Sequence, residues 1–216
     1  MKGAGKYAEE LKALVKKMAK ETKSAPLQKQ EALRAMTRAI FCFDTTDARA
    51  DEALTTIDRE FVDINELRVA TELEVQHLIG DKFPQIVNRS AMIYAIFNNI
   101  FEKEGVLGID RIAVLKKAEI RQFLHVMAGM SSYVEAYVCL NSYDIAAMPV
   151  DEMSLAHLKQ TGCVVPDATI DDAQKFIEGH LNPQELQDLF AGLRRLAKET
   201  FVAAAIPAED KAKKKK

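Results

Sequence analysis

Two stretches of this 216-residue chain hold reactive groups at a defined spacing. Met127-Ala128-Gly129-Met130-Ser131-Ser132-Tyr133 reads as the end of one helix, a tight turn at Gly129 and the start of a second helix. Pro149-Val150-Asp151 reads as an extended exit that launches a third. A turn that opens a helix aims several backbone amides the same way, and with the helix N-terminus they form a nest for a phosphate without reading sequence. Asp151, 18 residues after Tyr133, adds a carboxylate to that hairpin. Such a group can face positive charge or take a proton, or it can do no more than cap its own helix, where aspartate is favoured. Tyr133 is either a pocket wall or a packing residue of the hairpin. A third cluster, Asp44-Thr45-Thr46-Asp47, interrupts an apolar helix and by itself reads as a cap turn.

Helices must position these groups. Tyr7, Leu11, Leu14, Val15 and Met18 share a helical face with lysines opposite, so residues 1–26 form a basic helix or arm with Ser24-Ala25-Pro26 as linker. Leu33, Met36, Ile40 and Phe41 keep helical spacing as far as Phe43, and a short helix is expected to follow to about Phe61. Asp63 with Glu66, and Thr71 with Glu74, have capping-box spacing. Gly80-Asp81-Lys82-Phe83-Pro84 breaks the pattern before a long helix that buries Ile86, Ile93, Phe97, Ile100 and Phe101 and stops at Gly105. Gly108-Ile109-Asp110 starts another, and the hairpin helices run from Ala118 to Met127 and from Ser132 to Tyr143. After Asp151 a helix reaches about Gln160, ended by Gly162; Thr169 with Asp172, and Asn182-Pro183, open the last two. Neither strand alternation nor an internal repeat is evident. The expectation is an all-α protein.

An apolar content of 48% is enough for a full core, and no apolar run approaches the ~18 residues of a membrane span. The lysine-rich start is unlike a secretory signal, so a cytoplasmic location is expected, with no membrane partner. Cys42, Cys139 and Cys163 form no CxxC pair and read as buried small hydrophobes. His77, His125, His157 and His180 share no i, i+4 spacing and read as structural or surface residues, so no metal is expected. The net charge of −2 is uneven: the two ends, 1–23 and 208–216, contribute +4 and +3, which leaves about −9 over residues 24–207. A body that acidic is a poor electrostatic match for a polyanion.

Taken together, these stretches resemble the endonuclease III family, the helix-hairpin-helix (HhH-GPD) DNA glycosylases of base-excision repair. Asp44-Thr45-Thr46-Asp47 is similar to the family's Gln-Ala-Thr-Asp loop, Phe61-Val62-Asp63 through Gly80 to its second helical segment, and Met127-Ala128-Gly129-Met130-Ser131 to its Leu-Pro-Gly-Val-Gly hairpin. Pro149-Val150-Asp151 stands where the family writes Val-Asp-Thr-His, and the likeness runs in order from about Leu27 to Phe201. It implies two helical lobes with a cleft between them over residues 27–207, a basic arm before and a disordered lysine-rich tail, 208–216, after. It implies duplex DNA as partner, held at Ala128, Gly129, Met130, Ser131 and Ser132, with Asp44, Thr45 and Thr46 at the lesion pocket; the lysine-rich termini are the electrostatic contact the chain offers to such a partner. Asp151 and Tyr133 are then the catalytic candidates, the carboxylate stabilising charge at the anomeric carbon of a flipped nucleotide.

The chain departs from the family pattern at several points. Tyr133 replaces the lysine that cuts the strand through a Schiff base, which implies a monofunctional glycosylase. Ala128 replaces the hairpin proline, Ser131 its second glycine, and Glu135 a small alanine. No cysteine follows Cys163, so neither an iron–sulfur cluster nor any other cofactor is expected. Three readings follow: a DNA N-glycosylase that leaves an abasic site, a DNA-binding or structural protein that keeps the fold without the chemistry, and an all-α protein-interaction module. A monomer is expected for each.

Overall fold

The computed structural model describes residues 4–22 and 29–197, in which all regular structure is helical. The lysine tail and the Ser24-Ala25-Pro26 linker lie outside the described residues. In chain order the helices are α1 (Ala4–Thr22), α2 (Ala32–Cys42), α3 (Asp47–Glu60), α4 (Ile64–Val69), α5 (Glu72–Ile79), α6 (Ile86–Glu104), α7 (Lys117–His125), α8 (Ser132–Ser142), α9 (Glu152–Gln160), α10 (Ile170–His180) and α11 (Pro183–Leu196). Helix α2 is central: it packs on α3 and α6 on one side and on α8 on the other. Helices α4 and α5 cover α6, while α7 lies on α8 and α9 touches both α10 and α11.

The two central helices are largely buried: α8 is enclosed along nearly its whole length, and α2 turns only Arg34 and, in part, Arg38 to the outside. In α8 every residue from Tyr133 to Ser142 is buried, and Ala32, Ala35 and Ala39 keep α2 slim enough for close approach. The surrounding helices start where the sequence places cap residues. Thr71, Thr169 and Asn182 each accept from the third amide of their helix, and Glu74, Asp172 and Glu185 return the bond. At Asp63 the box is looser: Glu66 reaches the amide of Val62, one residue further out, at 2.6 Å.

Two expectations are corrected. The segment after Gly108 makes only a 3-10 turn, Asp110–Val114, because Glu119 captures the amide of Lys116 at 2.9 Å and starts α7 afresh. Phe101 stays exposed at the side of α6, roofed by the Arg68 guanidinium 4.0 Å from its ring centre.

The N-terminal segment is a docked helix. Leu11, Val15 and Met18 of α1 are buried, and α1 lies along α11. The contact closes at Gly192, where an added Cβ would meet the Met18 Sδ at 2.4 Å and its Cβ at 2.7 Å. Gly192→Ala is therefore expected to push the two helices apart at a cost of about 1–3 kcal/mol. Thermal denaturation should show a midpoint lower by several degrees; an unchanged midpoint would mean that Met18 gives way freely.

Candidate functional site

The loop between α2 and α3 is the centre of the site. It leaves the last carbonyls of α2 without helical partners, inside the protein. Two buried arginines supply the donors, using the fork of N–H groups that a guanidinium carries. Arg89 of α6, with no exposed surface, donates to the carbonyls of Ile40, Phe43 (2.7 Å) and Pro84 (2.7 Å) and lies 3.9 Å over the Phe43 ring. Burial pulls its pKa down to about 10, against the pull of Asp44 and its other neighbours. Arg194 of α11 donates to Cys42 O and Thr45 O, each at 3.0 Å, and to Asp47 Oδ1 at 2.9 Å. Burial opposes its charge too, but Tyr133, Cys42, Asp47 and Asp151 hold its pKa above the ordinary value. Within the loop, the Thr45 hydroxyl donates to Phe41 O, and Thr46 caps α3 by accepting from Arg49 N at 3.3 Å.

Asp44 and Asp151 meet across this loop. Asp151 Oδ1 accepts from the Ser154 amide at 2.8 Å, which makes it the N-cap of α9. Its Oδ2 accepts from the Asp44 amide at 2.9 Å, and Asp44 Oδ1 accepts from the amide of Glu152, the residue after Asp151, at 3.0 Å. Arg194 Nη1 stands 3.8 Å from the same Oδ2. Asp151 is 4% exposed, and the cavity beside it, walled by Met153, Ser154, His157, Leu193 and Arg194, holds only about 10 Å³. Pockets for small ligands begin near ~300 Å³. Asp44 takes up this position with φ of 50°, in the left-handed region. Burial, and then the charge of Asp151, push its carboxyl up to about 6, although the amides of Glu152 and Met153 favour the anion.

Tyr133 lies below the loop. It is 5% exposed, its ring 6.2 Å from Phe43 and 6.4 Å from Tyr137. Its hydroxyl has no hydrogen-bond partner among the described residues, and burial drives the phenol well above its ordinary pKa. Of the predicted pocket residues, Asp44 alone touches Asp151; Thr45 and Thr46 are buried and serve helix ends.

The hairpin is on the surface, with Ala128, Gly129 and Ser132 exposed. Gly129 has φ of 80° and sits on α6 so closely that a Cβ would meet that of Ala95 at 2.7 Å, so glycine is required twice over. Ser131, in place of the second glycine, has φ of −96° and caps α8 by accepting from Val134 N at 3.3 Å, so the substitution carries no strain. Asn99 Oδ1 accepts from the Ala128 amide at 3.3 Å. The amides of Gly129, Ser131 and Ser132 have no protein acceptor among the described residues. Glu135, the third departure, is buried under the start of α8, where Arg121 Nε (2.9 Å) and His125 Nδ1 (2.8 Å) bind its two oxygens. Arg121 also spans to Glu178 of α10, which in turn accepts from Met148 N at 2.9 Å. A cleft of about 470 Å³ opens over this cluster, lined also by Ser132, Asp171 and Lys175. Among the described residues no group of three or more His, Cys, Asp or Glu gathers for a metal, and no helix is long and apolar enough to cross a membrane.

The sequence reading missed Arg89 and Arg194. Each carries the same signal, a single charge on an apolar stripe: Arg89 lies between Ile86 and Ile93, and Arg194 one turn after Phe190.

This helical architecture is shared with solved DNA glycosylases. No protein-family model matches the chain, and no curated protein sequence does. An endonuclease III trapped on DNA matches it with a TM-score of 0.67 and 12% identity, over 87% of this chain and 84% of that one. The Clostridium acetobutylicum 8-oxoguanine glycosylase/lyase on DNA matches with 0.68 and 16% over 88% and 69%, and the H. pylori 3-methyladenine DNA glycosylase with 0.64 and 16% over 88% and 95%. The chain therefore has the helix-hairpin-helix glycosylase fold, resembling these enzymes over most of its length.

The Asp44 shift makes a signed prediction. With its pKa raised from 3.8 to about 6, the folded state binds the proton more tightly than the unfolded chain. The associated stability is full below pH 4 and is lost as pH rises through 6. Asp44→Asn keeps an acceptor for the Glu152 amide and tolerates the left-handed backbone. It should stabilise the protein at pH 7 by on the order of 1–3 kcal/mol, with the gain vanishing below pH 4. Melting curves of both proteins across pH 3.5–7.5 check this; a pH-independent difference would contradict it.

Proposed function

We propose that the protein binds double-stranded DNA through its hairpin and does not excise a base. One observation carries this reading: the Asp151 carboxylate is engaged on both oxygens, closed over by Asp44 and Arg194, beside a cavity far too small for a nucleobase. The lone pairs that this carboxylate keeps beyond its two amide bonds face the protein interior, where there is no room for a sugar. The buried phenol of Tyr133 can neither form the Schiff base of a strand-cutting enzyme nor exchange a proton near neutral pH. The hairpin, by contrast, keeps its outward amides at Gly129, Ser131 and Ser132, a positive-φ turn and the α8 N-terminus, which suit a phosphate. The solved relatives on DNA add support from the fold. A nucleoid-associated cytoplasmic protein working as a monomer, without cofactor, fits this reading.

A second reading, hydrolysis of the N-glycosidic bond of a damaged or mismatched base without strand cleavage, is favoured by the cost built into the closed loop. Two carboxylates face each other there, and one residue is held at positive φ. Displacing the loop of Asp44, Thr45 and Thr46 would uncover Asp151.

Duplexes carrying uracil, a G·T mismatch, an oxidised pyrimidine or an alkylated base, incubated with the protein and then treated with alkali, separate the two. The expected outcome is no cleavage above Asp151→Asn on any of them; lesion-dependent cleavage that this variant loses would install the glycosylase instead. Binding should be measured in parallel by fluorescence anisotropy. Ser132→Glu places an acid at the first position of α8, where the helix dipole welcomes it, yet sets it against the phosphate. It should keep the melting temperature and weaken duplex binding by about tenfold or more; unchanged affinity would remove the hairpin from the interface.

A further inference from the structure

Binding a polyanion with a body that carries about −9 requires positive surface, and the hairpin supplies only amides. The arginines are largely committed elsewhere. Arg34, Arg38, Arg111, Arg121, Arg194 and Arg195 are each paired with a carboxylate, and Arg89 is fully buried. Helix α1 differs: Lys6, Lys12, Lys16, Lys17 and Lys20 are all exposed, and none forms an ion pair among the described residues. Lys12, Lys16 and Lys20 follow each other at i, i+4, which puts a cation about every 6 Å along one side of the helix. Glu9 falls within this arc and Glu10 at its margin, whereas Glu21, further round, is taken by Arg195 of α11.

We propose that this lysine face of α1 is a second contact for the DNA backbone, supplying the charge that the hairpin lacks. The inference rests on the DNA-binding reading above. Two observations favour a phosphate backbone over a lipid surface. The apolar side of α1 is already occupied, with Leu11, Val15 and Met18 buried and Met18 locked against Gly192, so the helix has no hydrophobic face to insert. The lysines are also held on a fixed element. The C-terminal half of α1 sits beside the end of α11, where Glu21 pairs with Arg195 and the charge of Lys17, after burial, helps to lower the pKa of His157 on α9. Arg194, the neighbour of Arg195, is the residue that binds Asp47 and approaches Asp151. One turn of α11 thus joins the C-terminal end of α1 to the loop that closes over Asp151.

The test is the triple variant Lys12→Gln, Lys16→Gln, Lys20→Gln in the full chain, titrated against an undamaged duplex over a range of salt concentrations. Its circular dichroism and melting temperature should match the wild type, since none of the three side chains is buried. Affinity at low salt should fall by about tenfold or more, and the slope of log K against log salt should become shallower by about 2 to 3, close to 0.9 for each phosphate contact removed. An unchanged slope in the triple variant, with binding still lost in Ser132→Glu, overturns this inference and leaves the hairpin reading standing. Absence of salt-sensitive binding by the wild type overturns both. Vesicles of phosphatidylserine and phosphatidylcholine complete the comparison: sedimentation with them that the triple variant loses, while its DNA affinity is kept, also overturns the proposal.

Discussion

A segment of chain that is neither helix nor strand, yet lies in the interior, must find partners for every amide and carbonyl it carries. Phe43 to Thr46, after the end of α2 at Cys42, is such a segment. Phe43 and Asp44 are half-buried and Thr45 and Thr46 buried, and each buried carbonyl left unmatched would cost about 1–3 kcal/mol. The partners come from distant parts of the chain: Arg89 from α6, Arg194 from α11, and the carboxylate of Asp151 from the head of α9. Three helices that are far apart in sequence are thereby tied to one loop. The arrangement of these helices about α2 follows from that requirement as much as from the apolar core.

It also constrains Asp151. An aspartate at a helix start is bifunctional in principle: one oxygen can cap while the other faces a cleft. Here the second oxygen binds the Asp44 amide, and Asp44 repeats the arrangement in reverse by accepting from Glu152. The exchange holds the Asp44 amide toward one carboxylate and its side chain toward the Glu152 amide on a left-handed backbone, and the burial and nearness to Asp151 that come with it raise the Asp44 pKa although the amide bonds favour the anion. Catalytic use of Asp151 requires giving up at least one of these bonds. The geometry therefore sets capping and chemistry in competition at a single side chain.

How much of this was legible depended on whether the information was local. Helix starts were, because Thr71, Thr169 and Asn182 meet their acids three positions on and need no tertiary partner. So was the hairpin, since a glycine between two apolar periods marks a turn. The role of Asp151 as N-cap of α9 was legible; its second bond, to a residue 107 positions earlier, was not. Glu135 and Ser131 read as departures from a pattern because sequence spacing says nothing about Arg121 and His125 waiting beside α8, or about the ordinary φ of Ser131. Arg89 and Arg194 were hidden for the opposite reason: a charge on an apolar stripe was visible, but what it would bind was a set of carbonyls, which no sequence pattern records.

The acidity of the body needs the same distinction between sequence and place. Many of its carboxylates are structural: Glu31, Asp63 and Asp151 cap helices, while Glu74, Asp172 and Glu185 complete capping boxes. A carboxylate over a helix N-terminus faces the positive end of the dipole and backbone donors, which soften its field in other directions. Others are neutralised in pairs, as Glu135 and Glu178 are by Arg121. A net charge counted over the chain treats these groups as if they were spread over the surface. The field that a phosphate meets depends instead on the free groups near it, and α1 carries five exposed lysines on one helix. The electrostatic objection to DNA binding that the sequence raises is therefore weaker in the folded protein, where arginines and acids largely face one another and lysines face outward.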